Sequence, residues 1–146
     1  MIIMALDLGT RSCGLALSDP HAMFARPYAG WRFETFDPDD LIAKLRTVYE
    51  EEKVEEIVLG LPKNMDGSLG AQAQLSLQFA EALKEAFPCP IALYDERLTS
   101  RMASSQQRTL GKKKKQRQAP IDAYAASIIL QDYLDHKKHK ENANGR

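Results

Sequence analysis

Short apolar runs separated by polar turns divide the first part of the chain. Residues 1–8 and 13–17 are almost wholly apolar, and the connection between them begins at Gly9. Two such runs with a tight polar connection predict a hairpin of buried strands. Residues 24–36 alternate loosely and are rich in aromatic side chains, which predicts a third strand. The chain therefore opens on an antiparallel meander.

The rest of the chain alternates between helical and strand patterns. An acid, a proline and two further acids from Asp37 onward precede an apolar face at helical spacing, which predicts a capped helix. Continuous apolar runs at 57–61 and 91–94 predict buried strands. Further helices are predicted over 69–87 with Asp66 or Ser68 as cap, from Thr99 or Ser100 to near Leu110, and from Pro120 onward.

This order of elements predicts an α/β fold with a five-stranded mixed sheet flanked by helices, in which strands 1–3 form the meander and two parallel strands follow. A length of 146 residues suits one domain. We expect the domain over 1–138 and a polar, flexible tail over 139–146.

Composition narrows the function only slightly. The chain is 44% hydrophobic and 27% charged with no net charge, so its overall charge favours no partner class. No apolar stretch approaches the length of a membrane span, and no basic segment precedes an apolar one at the N-terminus. Cys13 and Cys89 fall in predicted strands without a nearby histidine, as reduced buried thiols do. We expect a cytoplasmic protein without a membrane partner.

Three acids stand where the chain changes direction. Asp7 ends the first strand, Glu96 follows the last, and Asp122 lies in the first turn of the final helix. Because ligands gather beyond the carboxyl ends of parallel strands, Asp7 and Glu96 are expected at one edge of the sheet. Turn capping or solvation alone would explain any one of these acids, and Asp95 or Asp19 could replace any one of them.

Converging carboxylates without histidine or thiolate suit Mg²⁺ or Mn²⁺ rather than zinc. Two such ions, roughly 3.5–4 Å apart, activate water and stabilise the leaving oxygen in phosphodiester cleavage. The sequence therefore predicts a site for two divalent ions and a hydrolytic reaction.

Four segments together resemble the YqgF (RuvX) family. They are ALDLGTRSCGLALSD at 5–19, GLPKNMDGSLG at 60–70, YDERLTSRMA at 94–103 and IDAYAASIILQDYL at 121–134. The resemblance spans nearly the whole chain and implies an RNase H-like fold with Asp7, Glu96 and Asp122 as catalytic metal-binding acids. It also implies a nuclease that processes the 5′ end of pre-16S rRNA in ribosome biogenesis, or a homologue of Holliday junction resolvases. Ser100 stands where a second threonine would be expected.

A basic run lies between the last two predicted helices. Lysines near phosphates release counterions, which gives sequence-independent attraction to nucleic acid, although a solvated face would have the same composition. The expected nucleic-acid contacts are Arg11, Arg97, Lys112, Lys113, Lys114, Lys115 and Arg117, and further phosphate contacts are proposed at Gly9, Thr10, Lys63, Asn64 and Ser68.

We expect a metal-dependent endonuclease acting on structured RNA, with four-way DNA junctions as the alternative substrate. Cutting a junction symmetrically would need two active sites, and therefore a dimer; the sequence allows a monomer or a homodimer. Two other functions are a binding module without catalysis and an actin-like ATPase fragment, because Asp7-Leu8-Gly9-Thr10 also resembles a phosphate loop of such ATPases.

Overall fold

Five strands form one mixed sheet in the computed structural model, which describes residues 1–99 and 121–144. The strand order is β3-β2-β1-β4-β5. The first three strands are antiparallel, and β1, β4 and β5 are parallel, as predicted. The strands are β1 (Ile2–Leu8), β2 (Ser12–Ser18), β3 (Ala25–Arg32), β4 (Val54–Leu61) and β5 (Ile91–Asp95).

Helices cover both faces of this sheet. The described ones are α1 (Pro38–Glu51), α2 (Ala71–Ala86) and α3 (Ile121–Asn144), and a short 3-10 helix, Glu96–Thr99, follows β5. The helix predicted from Thr99 or Ser100 to near Leu110 lies outside the described residues. Among the described helices, none has the length and apolarity that crossing a membrane requires.

The helix caps were predicted with mixed success. The Asp37 side chain accepts hydrogen bonds from the amides of Asp39 and Asp40, which confirms the cap of α1. The predicted cap of α2 was wrong, because that helix begins after Gly70 without a side-chain cap. The residues expected there, Asp66 and Ser68, bond to each other inside the preceding loop.

The central strand β1 is buried on both faces. Met4 and Leu6 belong to the core formed with α1 and α2, whereas Ile3 and Ala5 pack against α3. Because side chains alternate along a strand, Asp7 continues the face of Ile3 and Ala5 and points toward α3. The position of the acid in the alternation therefore decides which helix it meets.

Hydrogen bonds and an ion pair fix the position of α3 along the sheet. The amide of Ala25 donates to Gln131 Oε1 at 2.9 Å, and Lys137 Nζ lies 2.8 Å from Glu56 Oε1. The Tyr133 hydroxyl also donates to Glu56, which is 5% exposed. These contacts, together with the buried apolar face, set the position from which α3 presents its first turn.

Candidate active site

Glycines flank Asp7 on both neighbouring strands. Asp7 is paired with Gly14 of β2. On the other side Leu6 is paired with Leu59 of β4, so Gly60 is the next residue beside Asp7. Neither neighbour carries a side chain, and space is left on this face of the sheet for groups from elsewhere in the chain.

A helix backbone and a carboxyl group from two distant segments fill that space. A Cβ on Gly14 would overlap the backbone carbonyl of Asp122, so the first turn of α3 rests directly on β2. A Cβ on Gly60 would lie 2.6 Å from Glu96 Oε2, so that carboxyl group lies against β4. Asp7, Glu96 and Asp122 therefore meet around the carboxyl end of β1, and the structure brings together the acids predicted from the sequence.

The electrostatics show how closely these acids interact. Burial, followed by the charge of Asp122, raises the pKa of Asp7 to about 6. Burial, followed by the charges of Asp7 and Asp95, raises the pKa of Glu96 to about 8. Asp7 is thus the central member, because it interacts with both of the others.

A cation fits these surroundings. Within the described residues, no hydrogen-bond donor stabilises the partly buried Asp7 carboxylate. An ionised carboxylate without water or a donor is costly, and a divalent ion removes that cost. In the described part of the chain, no group of three His, Cys, Asp or Glu side chains already lies close enough together to coordinate one ion. A bound ion would therefore have to draw the carboxylates together.

Asp95 and Asp19, the alternative acids, form other interactions. Asp95 forms hydrogen bonds with the Arg97 guanidinium, at 3.1 Å to Nε and 2.7 Å to Nη2, which lower the pKa of Asp95. Asp19 lies at the opposite end of the sheet, where its carboxylate accepts backbone amides, including that of Phe24 at 2.7 Å. Each of these two acids already has hydrogen-bond partners, whereas Asp7 has no donor among the residues that the structure describes.

Arg32 is a site neighbour that the sequence analysis missed. Its Nε lies 3.6 Å from Asp122 Oδ2, and its side chain is 76% exposed. Arg32 and Arg11 line a shallow groove of about 320 Å³ together with Phe33 and Glu34. Arg32 pairs with Ser12 across the meander, and this register could not be read from sequence because β3 contains an irregularity.

The remaining predicted contacts are only partly described. Arg11 and Thr10 are exposed in the turn after β1, where the amide of Gly9 donates to Ser12. Asn64 and Ser68 are bonded to each other within the loop after β4, and Lys63 precedes them. The basic residues Lys112, Lys113, Lys114, Lys115 and Arg117 lie outside the described residues.

Comparison with known proteins shows which family this chain is similar to. The family model described as "RuvX: Holliday junction resolvase" matches residues 1–136. A protein of Chloroflexus aurantiacus named "Putative pre-16S rRNA nuclease" is 43% identical over 141 residues, which cover 97% of this chain and 91% of that protein. A protein of the same name from Geobacillus kaustophilus is 39% identical over 138 residues, covering 94% and 100%.

A structural comparison gives the fold. RuvC of Thermus thermophilus in complex with a Holliday junction substrate superimposes with a TM-score of 0.58 at 16% identity, covering 94% of this chain and 96% of that one. This likeness confirms the predicted RNase H-like fold. The family match and the two relatives cover almost the entire chain, which therefore belongs to the RuvX (YqgF) family of nucleases.

Proposed function

We propose that this protein is a metal-dependent endonuclease that hydrolyses phosphodiester bonds in structured RNA, with the 5′ end of pre-16S rRNA as its substrate. The observation that carries the proposal is the meeting of Asp7, Glu96 and Asp122 around the end of β1. The names of the relatives support the choice of RNA over other phosphodiesters.

Asp7, Glu96 and Asp122 would hold Mg²⁺ or Mn²⁺, and we propose two ions. Bound there, the ions would supply an activated water and stabilise the charge on the leaving oxygen. The chain contributes a partly buried, anionic site, where charge interactions are stronger than in bulk water. It also aligns the acids, because Gly14 and Gly60 allow α3 and the residue after β5 to approach Asp7 closely.

The substrate is held by cationic side chains on this edge of the sheet. Arg11 is exposed beside the site and is suited to bind a phosphate through two nitrogen donors. Arg97 is engaged by Asp95, so its contribution is to position the loop after β4 as well as to add positive charge. We assign sequence-independent attraction to Lys112–Lys115 and Arg117.

A four-way DNA junction is the second candidate substrate, since the matching family is described by that activity. The two substrates share the same hydrolytic chemistry but differ in the assembly they need, because symmetric cutting of a junction requires two linked sites. A monomer suits RNA processing, and a homodimer suits junctions. Family membership favours either nuclease over the actin-like ATPase considered from the Asp7 loop.

The test is cleavage of an end-labelled structured RNA and of a four-way DNA junction, each with Mg²⁺ or Mn²⁺ and with chelator. We expect metal-dependent cleavage of the RNA and none of the junction. The Asp7→Asn variant should lose cleavage yet keep RNA binding, because removing an anion near phosphate reduces repulsion. Asp39→Asn, an exposed acid in the first turn of α1, is the matched control.

Other outcomes have distinct meanings. Cleavage of the junction alone, by a dimer, would replace RNA as the substrate. RNA cleavage that survives Asp7→Asn would contradict catalysis at this site. RNA binding without cleavage by the wild-type protein would leave a binding module. We also propose a cytoplasmic location, which suits the two free cysteines.

A further inference from the structure

A methionine is displayed at the edge of the sheet where the acids meet. Met65 is 80% exposed, more than any other large hydrophobic residue in the described part of the chain. It lies in the loop 62–70 that leaves the carboxyl end of β4. Scattered exposed apolar residues are ordinary, so its significance depends on how the loop holds it and where.

The loop is closed by its own hydrogen bonds. The amide of Gly67 donates to Asn64 O at 2.8 Å, and the amide of Asn64 donates to Ser68 O at 3.0 Å. The Asp66 carboxylate accepts both the amide and the hydroxyl of Ser68. Gly67 has a φ of 90°, a conformation that permits the tight reversal. Met65 is thus carried near the tip of a small, internally bonded turn.

Arg97 ties that turn to the candidate active site. Its Nη1 donates to Met65 O at 3.3 Å, while its Nε and Nη2 are bonded to Asp95. Arg97 directly follows Glu96 in the chain. One guanidinium therefore fixes the backbone of Met65 relative to the carboxyl group that lies over Gly60.

We propose that Met65 is a wedge that inserts between stacked bases of the nucleic-acid substrate next to the phosphate to be cut, an inference that rests on the nuclease function proposed above. Proteins that deform duplexes commonly insert Met, Leu, Ile or Phe between base steps. The Met side chain is long, flexible and polarisable, which suits contact with base faces. Lys63 lies two residues from Met65, close enough to contact phosphates beside the opened step.

Such a wedge would help the proposed reaction by making the scissile phosphate accessible to the acids. A phosphate within a paired RNA helix is held by the stacking of its neighbours, and partly buried carboxylates reach it more readily when the strand is locally displaced. Opening one base step bends the backbone and separates the scissile phosphate from its neighbours. Leu69, 42% exposed on the same loop, adds a second apolar surface against which a displaced base can rest.

The test compares Met65→Gln with Met65→Leu on two versions of one RNA whose cleavage position has been mapped with the wild-type protein. One version is fully paired at that position, and the other carries a mismatch that weakens stacking. We expect Met65→Gln to slow single-turnover cleavage of the paired RNA at least about tenfold and to act almost normally on the mismatched RNA. Met65→Leu should resemble the wild type on both.

Met23→Gln is the matched control, because Met23 is also exposed but lies at the opposite end of the sheet. Rescue by the mismatch separates a wedge from a merely structural role, since a distorted loop would slow both RNAs. Equal rates for Met65→Gln and the wild type on the paired RNA, or equal slowing on both RNAs, would overturn the wedge.

A second readout does not depend on cleavage. With 2-aminopurine next to the mapped phosphate, or across a scan of positions if nothing is cut, binding of Asp7→Asn protein should raise the fluorescence by unstacking the base. The additional Met65→Gln change should abolish that rise without altering the affinity more than about twofold. A wild-type protein that cleaves neither RNA contradicts the proposed function, whereas unchanged fluorescence contradicts the wedge alone.

Discussion

Asp7 is an acid held where its charge is unfavourable. It is partly buried, and it interacts with the charges of two other acids, Asp122 and Glu96. Such a residue lowers the stability of the free protein and is retained for what it binds. Stability and activity are therefore expected to move in opposite directions when this side chain is neutralised.

Replacing Asp7 with asparagine should stabilise the protein in chelator while abolishing cleavage. At about pH 8 the free energy of unfolding should rise by about 1–3 kcal/mol, since one pKa unit corresponds to about 1.4 kcal/mol and the pKa of Asp7 is raised from 3.8 to about 6. Urea denaturation with excess chelator measures this. Asp39→Asn should change stability little, and a destabilised Asp7→Asn protein would show that Asp7 has an unidentified stabilising partner.

The pH dependence follows from the same two groups. Folding raises the pKa of Asp7 from 3.8 to about 6 and that of Glu96 from 4.5 to about 8. The folded state therefore holds more protons than the unfolded state in this window, and stability in chelator should fall as pH rises from about 4 to about 8.

Divalent ions should reverse that trend, because they bind the ionised acids. The increase in melting temperature on adding Mg²⁺ should be larger at about pH 8.5 than at about pH 5.5. Thermal melts at both pH values, with and without chelator, measure it. An equal increase at both values would argue that the ion binds elsewhere.

At the level of strands and helices, the site depends on segments that pack very closely against the strands beside Asp7. The two glycines beside Asp7 admit different partners: a helix backbone rests on Gly14, and a side-chain carboxyl group rests on Gly60. A methyl group at Gly14 is therefore expected to have a different consequence from one at Gly60. A packed helix cannot move aside, whereas a carboxyl group at the end of a side chain can.

Gly14→Ala should push α3 from β2 and lower the free energy of unfolding by about 3 kcal/mol or more. Gly60→Ala should destabilise less but displace Glu96 and reduce cleavage at least about a hundredfold. Denaturation and single-turnover cleavage of both variants separate the two effects. Full activity in a folded Gly60→Ala protein would contradict the role assigned to Glu96.

Much of this arrangement was readable from sequence. The apolar runs predicted the strands, because β1 and β4 are buried on both faces. The positions of the acids at strand ends predicted that they would lie at one edge of the sheet. Register was not readable, so neither the glycines beside Asp7 nor the approach of Arg32 could be derived. The cap of α2 was missed because Asp66 and Ser68 satisfy each other instead of the helix.

At the scale of the whole molecule, affinity for RNA is expected to come from the basic run rather than from the acids. Changing Lys112–Lys115 to glutamine should weaken binding and reduce the slope of log affinity against log salt by up to about three, since each phosphate contact contributes about 0.7–0.9. Filter binding over a salt series measures the slope.

A charge-matched control removes four lysines from elsewhere in the chain: Lys44, Lys53, Lys84 and Lys138. That protein should keep the wild-type slope. Equal slopes for the two variants would show that the attraction is spread over the surface and does not belong to the basic run.

Several of the described bonds join α3 directly to the sheet. Gln131, Tyr133 and Lys137 reach β3 and β4 directly, and Ile129, Leu130 and Leu134 are buried against that sheet face. A cut between residues 100 and 120 should leave two pieces that copurify under native conditions and separate in urea. The protein could then be produced as two complementing fragments, so that labels enter α3 alone.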